Sequence, residues 1–161
     1  MTASPAAPRD SWPPYPWPRR LSWFPAIWIA WELLYYEQFK LTGHPGSVHL
    51  FTILADWLGT PGGEKPFRLF VAIIEIIASV LVLIPRTRLP GALFSLGIMS
   101  GAIFFHVVSP LGIDPYEDGG VLFKEACVTW AASLLIIWLL RAEIPVWIDR
   151  AWSLAPMRRH A

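Results

Sequence analysis

The sequence predicts an all-α integral membrane protein, a four-helix bundle with both termini cytoplasmic and an interfacial amphipathic helix in the first outer loop. The chain has 161 residues, 55% of them hydrophobic and 16% charged, with a mean hydropathy of +0.46. That is too apolar for an ordinary soluble domain and short enough for one unit. Four apolar stretches, at about 21–40, 67–84, 89–108 and 121–140, each have roughly the 17–25 residues that a bilayer-spanning helix needs. The basic residues sort by side: Arg9, Arg19, Arg20, Arg86, Arg88, Arg141, Arg150, Arg158 and Arg159 fall on one side, and only Lys40, Lys65, Arg68 and Lys124 on the other. The positive-inside rule puts the arginine-rich side in the cytoplasm.

Residues 1–20 read as a Pro-rich tail in which Pro5, Pro8, Pro13, Pro14, Pro16 and Pro18 favour disorder or polyproline II over helix. The apolar stretch that follows is longer than a signal-peptide core and contains Glu32, so it is expected to remain as the first span of a membrane domain over 21–141. In the loop 41–66, Val48, Phe51, Leu54, Ala55 and Leu58 recur at helical spacing and predict an amphipathic helix over 46–58. Its expected place is the membrane interface, with a lid over the bundle mouth as the alternative. The Pro-Arg-Thr-Arg-Leu-Pro turn at 85–90 makes spans two and three antiparallel neighbours. Span three carries the small residues Gly91, Ser95, Gly97 and Gly101, and its Gly97-x-x-x-Gly101 spacing predicts close helix contact. Residues 142–161 form an amphipathic, basic tail. Tryptophans near span ends and in both tails, among them Trp12, Trp17, Trp23, Trp28, Trp147 and Trp152, suit the headgroup layer as anchors.

Several function classes fall away. A net charge of +1 offers no basic surface for nucleic acid. Cys127, the single cysteine, has neither a disulfide nor a C-x-x-C partner, which removes the dithiol relay of four-helix membrane oxidoreductases of the vitamin K epoxide reductase type. In an apolar span it reads as an inert core residue. His44, His49 and His106 lack a ligand spacing, so no metal site is expected, and no haem, flavin or iron–sulfur ligand set is visible.

The ionisable residues inside the spans carry the chemistry. A charge at mid-bilayer costs on the order of 2.5–3.5 kcal/mol, so such residues usually face an interior, a partner or a cavity. Glu32 lies eight residues inward from Lys40, and Glu75 eight from Phe67. Each is then about 12 Å deep at 1.5 Å per residue, which puts both acids at one level. Glu75, between Ile73-Ile74 and Ile76-Ile77, is far from either headgroup layer and needs an internal partner. Glu32, Tyr36 and Lys40 follow at i, i+4 and form a column on one helix face. Glu37, Lys40, His106, Lys124 and Glu125 lie nearer span ends, where snorkelling to the headgroups competes as a reading of Glu37, Lys40, His106 and Lys124. The catalytic candidates are therefore Glu75, Glu32 and His106, and the ligand-binding candidates Lys40, Tyr36, Glu37, Lys124 and Glu125.

Phe39-Lys-Leu-Thr-Gly43, Phe51, Glu75, Leu83-Ile-Pro-Arg-Thr87, Gly101-Ala-x-x-x-His106, Leu111-Gly-Ile113 and Asp118-Gly-Gly-x-Leu-Phe123 follow one another across about 31–141. Their order and spacing resemble the DoxX family of small four-helix membrane proteins. The resemblance implies a multi-pass protein of the bacterial inner membrane. Its relatives include a subunit of a thiosulfate:quinone oxidoreductase and members linked to redox or oxidative-stress assemblies. Lys40, Gly43, Glu75, His106 and Gly120 are the positions that match.

Three functions remain open. The first is a redox-linked subunit that binds a quinone or similar amphipathic small molecule in the outer half of the bundle. Glu75 and Glu32 would relay protons while His106 or Lys40 hydrogen-bonds a carbonyl oxygen. Quinone is the only cofactor then expected, none being covalently bound, and electrons come through it or a membrane or soluble partner protein. The second is a non-catalytic scaffold or accessory subunit. The third, a small transporter or proton pathway, is weakened by the lack of an internal repeat. The lipid bilayer is the common partner, and both catalytic activity and homo-oligomer formation are left open.

Overall fold

The computed structural model describes residues 16–154, which form α1 (Pro16–Leu21), α2 (Trp23–Thr42), α3 (Pro45–Trp57), α4 (Glu64–Leu83), α5 (Arg88–Val108), α6 (Val121–Leu139) and α7 (Ile144–Leu154). A 3₁₀ turn, Arg141–Glu143, leads into α7. Local chemistry sets the boundaries. Gly43 ends α2 in the left-handed region at φ 70°, its N–H bonded to the Phe39 carbonyl. One residue on, His44 caps α3 by accepting from the Gly46 N–H at 3.2 Å, with Pro45 in the first turn, where its missing N–H costs nothing.

The four long helices close into a ring in which α2 packs on α4, α4 on α5, α5 on α6 and α6 back on α2. Small and hydroxyl-bearing residues fill the ring: Ala26, Ala72, Ala78, Ser79, Ala92, Ser95, Thr129 and Ser133 are all buried. Ser133 donates to Ser95 at 3.1 Å, and the Trp28 indole to Thr129 at 3.1 Å. The outer face is the reverse, with Phe24, Phe70, Ile73, Val80, Leu93, Val107 and Trp138 exposed. Small and hydroxyl-bearing residues set among Ile29, Val82 and Ile136 inside, with large apolar side chains outside, are the pattern of a bundle solvated by lipid. The helices α4, α5 and α6 are long and apolar enough to cross a membrane. The chain is thus an all-α, multi-pass membrane protein. Its α2, also 20 residues long, differs in carrying Glu32, Glu37 and Lys40.

One end of the ring gathers α1, the 3₁₀ turn and Arg88. The Arg88 side chain is fully buried, donating to the carbonyls of Val82 (3.0 Å), Leu83 (3.4 Å) and Arg19 (3.3 Å) and to the Ser22 hydroxyl (2.9 Å). Its guanidinium also lies over the Trp23 ring at 3.9 Å. Arg19 reaches Glu143 at 2.5 Å. An arginine that reads from sequence as a topogenic turn residue is therefore the knot that joins α1, α2, α4 and α5.

Two expectations need correction. Residues 16–20 lie in the tail expected to be non-helical, yet Pro16–Leu21 is a helix. Pro16 and Pro18 occupy its first turn, the one place where proline's fixed φ suits a helix. Residues 1–15 and 155–161, with Trp12, Arg158 and Arg159, lie outside the described residues. The second correction concerns Gly97-x-x-x-Gly101. A Cβ built on either glycine meets nothing within 4 Å, so this pair makes no helix contact. The close approach is at Gly91, where a Cβ would stand 2.5 Å from the Val82 nitrogen and 2.7 Å from the Leu81 carbonyl carbon. The expected antiparallel pairing of α4 and α5 is present, but Gly91 makes it.

Candidate functional site

The end of the ring opposite Arg88 is spanned by α3, whose Ser47, Phe51, Leu54 and Ala55 are buried. Phe51 packs edge-on against Phe67 of α4 at 5.3 Å, and Trp57 against Phe105 of α5 at 6.1 Å. The helix expected over 46–58 thus exists and lies across the bundle mouth. Beneath it is a cavity of about 720 Å³, within the range of small-molecule pockets. Its wall is largely apolar, with Leu50, Phe51 and Leu54 of α3 and Phe67, Phe70 and Ile74 of α4 among the lining residues. Glu32, Tyr36 and Lys40 of α2, Glu75 of α4 and His106 of α5 supply polar groups.

The column of Glu32, Tyr36 and Lys40 therefore faces the cavity. Lys40 donates to Glu75 and, at 3.1 Å, to Glu37. Both acids are buried. Tyr36 donates to Glu125 on α6. Glu32, only 4% exposed, keeps its Oε2 buried with no hydrogen-bond partner among the described residues. An unpartnered polar atom in such a place costs roughly 1–3 kcal/mol, and it is a natural point for a ligand to bond. Glu37 Oε2 is buried and unpartnered in the same way.

His106 is buried, with Nδ1 at 2.7 Å from the Gly112 carbonyl and the ring edge-on to Phe123 at 5.7 Å. A carbonyl only accepts, so Nδ1 carries the proton and a neutral ring keeps Nε2 as an acceptor. Lys124 is exposed and lies outside the cavity wall. Glu37 and Glu125 stand behind the wall, each bonded to a wall residue. Cys127 is half-buried and free. Among the described residues no group of three or more His, Cys, Asp or Glu is placed to hold a metal ion.

Three contributors had no sequence signal strong enough to single them out. Arg68, buried at the start of α4, donates to Glu64 and to the Lys40 carbonyl, clamping the end of α2 that carries Lys40. Tyr116 donates to the Gly46 carbonyl at 3.0 Å and so ties the α5–α6 loop to α3. Burial, then the charge of Asp118, push its phenol above the ordinary value of 10.0, which keeps it a donor. Asp114 organises that loop by accepting from the N–H groups of Asp118 (3.0 Å) and Gly119 (3.1 Å). Burial acts to raise its pKa, but the backbone N–H groups of Gly120, Asp118 and Gly119 outweigh it and hold the carboxyl below the ordinary 3.8. The loop closes on Gly120, where φ is 71° and a Cβ would stand 2.7 Å from the Ile113 carbonyl oxygen.

Comparison with protein-family models, curated proteins and solved structures gave no match. What stands on the sequence and the fold together is the broader class of helical, multi-span membrane proteins.

Proposed function

We propose that this chain is a DoxX-like subunit of the bacterial inner membrane that binds a quinone, or a similar amphipathic small molecule, in the cavity beneath α3. The observation that supports it most directly is the pairing of an apolar chamber of about 720 Å³ with a buried acid–base group on its α2 side. An apolar pocket with few, convergent polar groups is the usual form of a small-molecule site. The donor set suits the head of such a ligand: Lys40 can donate to a carbonyl oxygen, and Glu32 Oε2 can accept from a hydroxyl. Bound quinone would supply two-electron, two-proton chemistry. Glu75 and Glu32 would hold and pass protons, with His106 Nε2 as a further acceptor. Electrons would come from a partner protein. In this reading α2, α4, α5 and α6 all span the bilayer, with the Arg88 end cytoplasmic on the arginine bias. Reporter fusions at Pro61 and Asp114 should then read outside, and at Arg88 inside.

Ligand extraction from protein purified in mild detergent tests the function. Roughly stoichiometric quinone is expected from the wild type, and little from Glu75→Gln with folding retained, since Gln keeps the shape but cannot carry the proton. Protein free of quinone that co-purifies with a soluble enzyme would overturn this reading in favour of an accessory scaffold.

A further inference from the structure

We propose that the cavity opens sideways to the hydrocarbon of the bilayer, through a window between α4 and α5 framed by Phe70, Leu93 and Gly97. The ligand is then a single-tailed molecule whose head sits against α2 and whose tail leaves by that window. This rests on the reading of the cavity as a small-molecule site, and adds how the molecule lies.

The seam between α4 and α5 is closed near both ends and open in between. Toward one end Gly91 stands against the backbone of Leu81 and Val82, and toward the other the rings of Phe67 and Phe105 meet at 6.1 Å. At Gly97 and Gly101, between those contacts, a Cβ would find nothing within 4 Å. Residues beside this gap belong to two surfaces at once. Phe70 (59% exposed) and Leu93 (52% exposed) face the outside and also line the cavity, as does the exposed Gly97. Such double membership marks an opening.

Depth decides what lies outside it. Gly97 is nine residues into the 21-residue α5, so the window is about 14 Å along the helix. That is near the middle of a hydrocarbon core of about 30 Å, among acyl chains and away from headgroups. A tail that leaves there lies in hydrocarbon. The far wall supplies the head site: α2 packs on α4 and α6 and stands diagonally across the ring from α5. On it Glu32 lines the cavity with a buried, unpartnered oxygen, beside Lys40. A gap made by the missing side chains of two glycines one turn apart passes one chain.

The test compares 2,3-dimethoxy-5-methyl-1,4-benzoquinone with the same head bearing a ten-carbon tail, both titrated calorimetrically against the full chain in detergent. The wild type should bind both. Gly97→Trp should weaken the tailed compound by about tenfold or more and leave the tail-less head within about twofold. Leu93→Trp, which narrows the window from the next turn, should act the same way should Gly97→Trp fold poorly. Val107→Trp, on the lipid face away from the cavity wall, should change neither. Equal binding of both compounds by the two window variants would overturn the window while leaving the quinone site standing. An equal loss of both would overturn it too, by making Gly97 part of the head site. Wild type that binds neither compound would overturn the cavity reading, and the window with it.

Discussion

Lys40 of α2 donates to Glu75 of α4, so an acid buried in the bundle is held by a cation from the neighbouring helix. The same ammonium bonds Glu37 at 3.1 Å, and both acids are nearly fully buried. Removing one member of a buried ionic group leaves the rest uncompensated, at a cost of about 3–5 kcal/mol. Lys40→Met should therefore lower thermal stability in detergent sharply, and Glu75→Leu added to it should return part of the loss. Unchanged melting of Lys40→Met would show that the cluster contributes nothing to the fold.

Arg86 and Arg88 are two residues apart and should behave oppositely. Arg88 is 1% exposed and satisfies three carbonyls and a hydroxyl, whereas Arg86 is exposed. Arg88→Met is expected to destabilise by about 3 kcal/mol through the bonds it strands, and Arg86→Ala to stay within about 0.5 kcal/mol. Parallel melting curves decide it, and equal effects would count against the knot at that end.

The three glycines of α5 separate in the same way. Gly91→Ala should cost about 1–3 kcal/mol, because its Cβ would fall against the α4 backbone. Gly97→Leu and Gly101→Leu should fold normally, as both have open space and leave behind a poor helix former. A loss of stability at Gly97 equal to that at Gly91 would contradict the geometry.

Asp114 makes the α5–α6 loop sensitive to acid. Its carboxyl is held below the ordinary 3.8 by backbone N–H groups, so the native loop favours the charged form. That contribution is present above the unfolded value and is lost as pH falls through the folded one. Hydrogen exchange at the amides of Asp118 and Gly119 should show protection above about pH 4 that declines in stronger acid. Asp114→Asn should remove this pH dependence.

Composition and periodicity were enough to determine the helical membrane class, the four long apolar stretches, the helix in the first long loop and the antiparallel pairing of α4 with α5. These follow from local rules: a span has a required length, an amphipathic face a period, and a short proline-bounded turn only one way to fold back. The i, i+4 spacing put Glu32, Tyr36 and Lys40 on one face, which the cavity receives.

Only the tertiary structure decided which partners these groups meet. Gly91, Gly97 and Gly101 are alike in sequence, and the tilt of α5 against α4 makes one a contact and leaves the other two open. Arg88 and Arg68 carry the same charge label as the exposed Arg86, and are set apart because carbonyls from α1, α2 and α4 converge where they point. Lys40 and Lys124 both lie near span ends, yet one turns inward to Glu75 and the other outward. Spacing along the chain sets a residue's height and face, while the rotation and tilt of one helix against another set what it touches.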